Sequence, residues 1–154
     1  MKKVLFLHGL ESRPGGSKPM FLEGKGYRVF NPSLPKSSFE ESIKIAQSKV
    51  DEELPDVIVG SSRGGAIAMC LEPRSAKLVL IAPAWKRFNF SSEEKIKAEC
   101  MILHSEYDDI VAWDDSAQLA SANGSNLITA GRDHRMNDSD ALEALLDAVE
   151  WVTK

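Results

Sequence analysis

The sequence predicts an α/β fold, a three-layer α/β/α sandwich whose mostly parallel sheet has about six strands. Short apolar runs alternate with amphipathic segments along the whole chain, which is the pattern of β-α-β units burying a parallel sheet between helices. Right-handed crossovers between such runs put helices on both faces of the sheet. The 154 residues, 43% of them hydrophobic, are enough for one sizeable core. No internal repeat, low-complexity tract or linker-like change of composition divides them, so residues 1–154 are expected to form a single domain.

The first strand is expected at Val4–His8, where four consecutive apolar residues run into His8-Gly9-Leu10. Glu11 to Lys18 is rich in Ser, Gly, Arg and Pro and is expected to be a mobile rim loop, with substrate gating as a second role to consider. A short strand follows at Arg28–Phe30. Ser38-Phe39-Glu40-Glu41 has the form of a capping box, and Phe39, Ile43, Ala46 and Val50 then recur at helical spacing until Leu54-Pro55-Asp56 stops the helix. Val57–Gly60 is the third strand, and Gly64 to Leu71 a short buried helix behind it. Strands are expected at Leu78–Ala82 and Met101–His104, a helix at Asp114 to Ala122 closed by Asn123-Gly124, and a last strand at Leu127–Thr129. Leu142, Leu145, Leu146, Val149 and Val152 give the final helix its apolar face, with Asn137 or Asp138 as N-cap.

Composition excludes several function classes. The net charge is −4, from 19 basic and 23 acidic residues, and the basic residues are scattered rather than gathered in a stripe, which argues against nucleic-acid binding. The apolar run after Lys2-Lys3 stops at His8-Gly9, too short for a signal peptide, and no stretch approaches the roughly 18 apolar residues of a membrane span. A cytoplasmic protein without membrane association is therefore expected. Cys70 and Cys100 stand alone in apolar surroundings, and His8, His104 and His134 are dispersed. No metal or other cofactor is expected, and the cysteines read as buried free thiols.

The stretch that carries chemistry is Val-Ile-Val-Gly-Ser-Ser-Arg-Gly-Gly, in which Val57 to Val59 feeds into Gly60-Ser61-Ser62-Arg63-Gly64. This is a G-x-S-x-G after a buried strand. Such a turn reverses the chain sharply into a helix and leaves Ser62 on strained backbone with its hydroxyl exposed at the sheet edge. Any side chain at Gly60 or Gly64 would collide with the closely folded backbone. The turn also aims amides at the space above Ser62, so the Arg63 N–H can help hold an oxyanion. Ser62 is the candidate nucleophile. Two adjacent aspartates, Asp108 and Asp109, follow the fifth apolar run, and His134 follows the sixth in Gly131-Arg132-Asp133-His134-Arg135.

With Ser, then Asp, then His each placed after its own strand, the chain resembles the α/β-hydrolase superfamily from Lys3 to its end, and within it a small, lid-less, bacterial-type serine esterase. Val4-Leu5-Phe6-Leu7-His8-Gly9-Leu10 is similar to that family's strand and His-Gly loop, which implies the Leu10 N–H as the second oxyanion donor. His104-Ser105-Glu106-Tyr107-Asp108-Asp109-Ile110-Val111-Ala112 is similar to its acid loop and puts Asp108 in the acid's place, with Asp109 as the alternative. Ser105 stands there where Gly is usual, and Ala112 where Pro is usual. The resemblance further implies that the first two strands exchange places in the sheet, which reverses its direction of growth between the first and third strands. Ligands of open α/β sheets bind at such a switch point.

The expected activity is a serine hydrolase that cleaves a small-molecule carboxylic ester or thioester through Ser62, His134 and Asp108 and an acyl-enzyme. A catalytically silent binding protein on the same scaffold, an acyltransferase and a peptidase are the alternatives. About 20 residues separate the fourth and fifth strands, too few for a helical cap, so an open site is expected. Trp85, Phe88 and Phe90 either form part of an acyl pocket or pack their loop on the core, and Lys86 and Arg87 either attract a substrate anion or are solvated. His8 is expected to order its loop by hydrogen bonding, His104 to be structural, and Asp133 to shape its turn.

Overall fold

The computed structural model describes residues 1–10, 12–88 and 95–154. Six parallel strands, β1 (Lys3–Leu7), β2 (Arg28–Phe30), β3 (Val57–Ser61), β4 (Lys77–Ile81), β5 (Cys100–His104) and β6 (Asn126–Thr129), lie in the order β2-β1-β3-β4-β5-β6. Every strand falls within one residue of its expected start and end. The exchange of β1 and β2 is present, so the sheet grows one way from β1 to β2 and the other way from β1 to β3.

Because side chains alternate along a strand, the continuous apolar runs supply two cores. Leu5, Leu7, Ile58, Leu78, Leu80 and Ile102 face one side and pack against Ala46 and Val50 of α2 (Phe39–Glu53), Ile67 and Met69 of α3 (Arg63–Met69), and Leu119 of α4 (Trp113–Asn123). Val4, Phe6, Val57, Val59, Val79, Ile81 and Leu103 face the other and meet Leu22 of α1 (Ser17–Gly24) and Leu145, Val149 and Val152 of α5 (Ser139–Val152). Full burial of each such side chain is worth about 1.5–3 kcal/mol. Neither face of the sheet could be left open to water.

The expected ends hold for α2, α4 and α5, whereas α3 stops at Met69, two residues short of the expected Leu71. Ser38 Oγ accepts the Glu41 N–H at 3.0 Å, and Leu54 takes the left-handed conformation at φ 48° that ends α2. Gly124, at φ 64°, ends α4, and Asp138 Oδ2 accepts the Ala141 N–H at 3.3 Å to open α5. On α5 the buried stripe runs through Ala141, Leu145, Ala148, Val149 and Val152, while Leu142 and Leu146 sit half-buried on its flank. Two elements go beyond the sequence expectation. The segment read as a loop to Lys18 already turns into α1 at Ser17, and Trp85–Phe88 forms a short 3-10 helix. Cys70 and Cys100 form no disulfide with each other; Cys70 is half-buried rather than buried as expected, and burial pushes the Cys100 thiol up to about 12. Among the described residues no helix is long and apolar enough to cross a membrane.

Candidate active site

The elbow between β3 and α3 is built on close backbone approach. A Cβ on Gly60 would lie 2.4 Å from the Gly64 carbonyl oxygen, and one on Gly64 only 2.0 Å from that of Leu7, so both positions exclude any side chain. Gly65 adds a third tight contact, with a Cβ there 2.9 Å from Pro83 Cβ. Ser62 lies between them at φ 56° and ψ −115°, a sparsely populated conformation that costs about 1–3 kcal/mol and persists only where the surroundings impose it. They do so through hydrogen bonds. The Ser62 N–H donates to Ile81 O at 2.9 Å, and Ser62 O accepts from the amides of Gly65 and Ala84, each at 3.0 Å.

From this turn Ser62 Oγ lies 3.0 Å from His134 Nε2, and His134 Nδ1 lies 2.7 Å from Asp108 Oδ2. A carboxylate oxygen only accepts, so Nδ1 carries the proton and the Nε2 lone pair accepts from the Ser62 hydroxyl. Ser62 follows β3, Asp108 follows β5 and His134 follows β6, so three loops at the carboxyl edge of the sheet meet although 72 residues separate Ser62 from His134. Asp108, not its neighbour, is the aspartate in this group: Asp109 is exposed.

Asp108 is also held from behind. Its Oδ1 accepts the amides of Ile110 and Val111, each at 2.8 Å, and its Oδ2 lies 3.0 Å from Nε2 of the fully buried His104. Burial by itself raises the Asp108 pKa. Hydrogen bonds from His104 and His134 and from the two amides outweigh that effect and hold the carboxyl well below the usual carboxylate range. His104 Nε2 faces a second acceptor, Val111 O at 2.9 Å, so this nitrogen carries the proton and Nδ1 accepts the Ser116 hydroxyl at 2.6 Å. The structural histidine of the sequence reading is therefore the support of the aspartate. Nothing in the local sequence distinguishes it from any histidine at a strand end.

The two departures in the acid loop have local explanations. Ser105, fully buried, donates to Gly131 O at 2.9 Å and accepts the Tyr107 amide at 3.1 Å, tying the aspartate loop to the loop that carries His134. Ala112 is the N-cap of α4 with φ −62°, the angle a proline would impose there. His8 is nine-tenths buried: its Nε2 accepts the Leu34 amide at 3.0 Å, so Nδ1 donates to Gly9 O at 2.8 Å and the ring orders its loop. Asp133 Oδ1 accepts the amides of Arg135 and Met136 and shapes the turn beyond His134.

Of the two backbone donors expected for an oxyanion, Arg63 is the first residue of α3, whose amide has no carbonyl a turn earlier within the helix. Leu10 follows Gly9, at which a Cβ would stand 3.4 Å from Ser62 Cβ. The Arg63 side chain turns away from that space into the protein. Its Nη2 donates to Pro35 O at 2.9 Å and Ser42 Oγ at 3.1 Å, and the guanidinium lies over the rings of Phe39 and Phe88. Burial lowers its pKa.

The aromatic residues of the following loop are used for packing. Trp85 is buried in the core and donates its indole N–H to Asp115 O at 3.1 Å, while Phe88 stacks on Phe39 with ring centroids 4.6 Å apart. Phe90 lies outside the described residues, as does Glu11 at the other rim. Lys86 is paired with Asp115 at 2.9 Å, and Arg87 donates to Ile110 O. Among the described residues no group of three or more His, Cys, Asp or Glu side chains is arranged to hold a metal ion.

No protein-family model and no curated protein matches the sequence. Solved structures do match. Mouse alpha/beta hydrolase domain-containing protein 10 is 18% identical, with a TM-score of 0.78 over 97% of this chain and 88% of that one. The esterase domain of a Rhodothermus marinus protein is 21% identical, with a TM-score of 0.70 over 99% and 86%. Est1E from Butyrivibrio proteoclasticus is 15% identical, with a TM-score of 0.76 over 97% and 86%. Strand order, elbow and these likenesses agree: the chain has the α/β-hydrolase fold.

Proposed function

We propose that the protein is a serine hydrolase that cleaves a small carboxylic ester or thioester through an acyl-enzyme on Ser62. The observation that carries this reading is the unbroken relay from Ser62 Oγ through His134 to Asp108, at 3.0 and 2.7 Å, beside an elbow that places Arg63 at the first position of α3. One similar structure, the Rhodothermus marinus domain, is an esterase by name, which supports the same class.

In this mechanism Ser62 Oγ attacks the substrate carbonyl carbon as its proton passes to His134 Nε2. Asp108 fixes the ring through Nδ1–H and stabilises the imidazolium. The carbonyl oxygen becomes an oxyanion held by the amides of Arg63 and Leu10, each worth about 3–4 kcal/mol in comparable sites. Collapse expels the alkoxide or thiolate, which takes the proton from His134. Water then gives a proton to His134 as it attacks the acyl-enzyme, and when the second tetrahedral species collapses to release the acid, His134 returns that proton to Ser62 Oγ. A serine rather than a carboxylate at the elbow suits acyl transfer to water, since the ester it forms is open to hydrolysis.

The test is intact mass after treatment with a fluorophosphonate, on the unaltered protein and on Ser62→Ala. A single adduct that is lost in the variant is the expected result. Folded protein that takes up no adduct overturns the reading.

A further inference from the structure

On the flank of the elbow, between the His8-Gly9 loop and the start of α1, lies a cavity of about 240 Å³. Ser61, the residue before the candidate nucleophile, is part of its wall, and so is Gly9. A Cβ at position 9 would stand 3.4 Å from Ser62 Cβ and 4.0 Å from Oγ of the wall residue Ser12, so the bare glycine leaves the space between Ser62 and the cavity to a ligand.

The wall is cationic in a protein of net charge −4. Among the described residues it contains Arg13 and Lys18 and no acidic side chain. The Lys18 ammonium is half-buried and donates to a neutral partner, Asn137 Oδ1, at 3.0 Å. Burial lowers its pKa to about 8; Asp133 offsets this in part, and Arg135 adds to it. Asp133 already uses Oδ1 to accept the Arg135 and Met136 amides. Gly16, Ser17 and Lys18, the opening of α1, also line the cavity, with no side-chain cap and no acidic residue in the first turn, so the helix end adds to the positive potential. The basic residues flagged in the sequence at Lys86 and Arg87 are by contrast tied to Asp115 and Ile110 O.

We propose that the substrate cleaved at Ser62 carries an anionic group, a carboxylate or a phosphate, that enters this cavity and is held there by Lys18 and Arg13. The inference rests on the hydrolase reading for the reacting bond, and on the cavity alone for the anion. A bound oxyanion supplies a charged acceptor for Lys18, whose hydrogen-bond partner among the described residues is the neutral Asn137, and it anchors the ester beside the nucleophile at a fixed distance, which a short neutral ester cannot match.

The experiment is calorimetric titration of Ser62→Ala with monobenzyl glutarate and with its methyl ester, which differ in one charge. The acid is expected to bind at least about tenfold more tightly at low salt, with the gap narrowing at 0.5 M salt. Lys18→Met and Arg13→Met, added singly to Ser62→Ala, should each shrink that gap. Displacement of the bound acid by acetate or by inorganic phosphate identifies which oxyanion the cavity prefers. Equal affinity for acid and methyl ester, or a gap that neither substitution alters, overturns the proposal. Unaltered protein that binds the acid selectively yet hydrolyses neither ester would sink the hydrolase reading and leave the anion site standing. Hydrolysis of both esters without any binding preference would do the reverse.

Discussion

His104 and His134 share one oxygen of Asp108, their Nε2 and Nδ1 atoms lying 3.0 and 2.7 Å from Oδ2 while the other carboxylate oxygen is taken by two backbone amides. The arrangement leaves Asp108 no freedom to turn. With Oδ1 held by N–H donors, Oδ2 must face two further N–H donors, so the site requires an ionised acid at this position.

Asp108→Asn tests that requirement. The amide oxygen will stay with the Ile110 and Val111 N–H groups, which turns the NH2 toward both histidines and sets donor against donor. His134 is then driven to the tautomer protonated on Nε2, which cannot take the Ser62 proton. A fall in kcat of about four orders of magnitude is expected, with KM little changed. A loss below tenfold in steady-state ester hydrolysis would contradict the assignment.

In the proposed reaction His104 acts only through Asp108, as a positioning residue. His104→Gln keeps an N–H donor within reach and should retain most activity. His104→Leu leaves Val111 O, Ser116 Oγ and one side of Asp108 without a partner and should cost about 1–3 kcal/mol of stability and at least tenfold in kcat. A purely structural role would lower stability alone. The comparison of kcat, KM and urea midpoint across the two variants separates the cases.

Acid affects stability and rate through different groups. The folded-state pKa of Asp108 is depressed, so its stabilising contribution is complete above the unfolded carboxyl value of about 3.9 and is lost as pH falls through the folded value. Urea unfolding should therefore show the unaltered protein losing stability below about pH 4 more steeply than Asp108→Asn. In the proposed mechanism activity should also fall in acid, because the base must be neutral to accept the Ser62 proton, while Asp108 stays ionised down to its depressed folded value. An acid limb of slope two, or a rate that is flat down to pH 4, would contradict this division.

The strands were legible because a sheet covered on both faces demands unbroken apolar runs, and Val57–Val59 or Leu78–Ile81 have no other reading at that length. α1 was hidden by its own composition: it opens on Gly15-Gly16 without a side-chain cap, has Pro19 in its first turn and buries only Pro19 and Leu22. The elbow was legible because backbone contact leaves room for glycine alone. The choice between Asp108 and Asp109 could not come from residues of the same type side by side; loop geometry buries one and exposes the other. His104 was opaque for a related reason. Its partners are 4, 7 and 12 residues away, and only the fold of the acid loop brings them to one ring.

Gly64→Ala probes the elbow itself. Its Cβ would fall 2.0 Å from Leu7 O and 2.6 Å from Leu7 C, backbone atoms of β1 that cannot swing aside like a flexible side chain. The strand or the turn must shift, at an expected cost of at least about 2 kcal/mol, and the Ser62 to His134 contact should be lost with it. Denaturant unfolding reads the first effect and fluorophosphonate labelling the second. Unchanged stability would mean that the turn has slack the geometry denies.

Arg63 separates a backbone role from a side-chain role at one residue. Its guanidinium is buried, with Nη1 lacking a partner among the described residues, and a buried charge in that state contributes less than an apolar group of similar length. Removing it strands little: Ser42 Oγ already lies within hydrogen-bond distance of Pro35 O and Ser38 O, at 3.0 and 2.9 Å, so the two groups that Nη2 contacts remain satisfied by each other. Methionine can follow the same path between Phe39 and Phe88. Arg63→Met is therefore expected to change stability by no more than about 1 kcal/mol in either direction and to keep kcat within about threefold, because the amide proposed to hold the oxyanion is still there. Arg63→Pro keeps an apolar ring at the first helical position, which tolerates proline, yet deletes that N–H. It should lower kcat by about two to three orders of magnitude. If the methionine variant lost as much activity as the proline variant, the guanidinium rather than the amide would be the group that acts on the reaction.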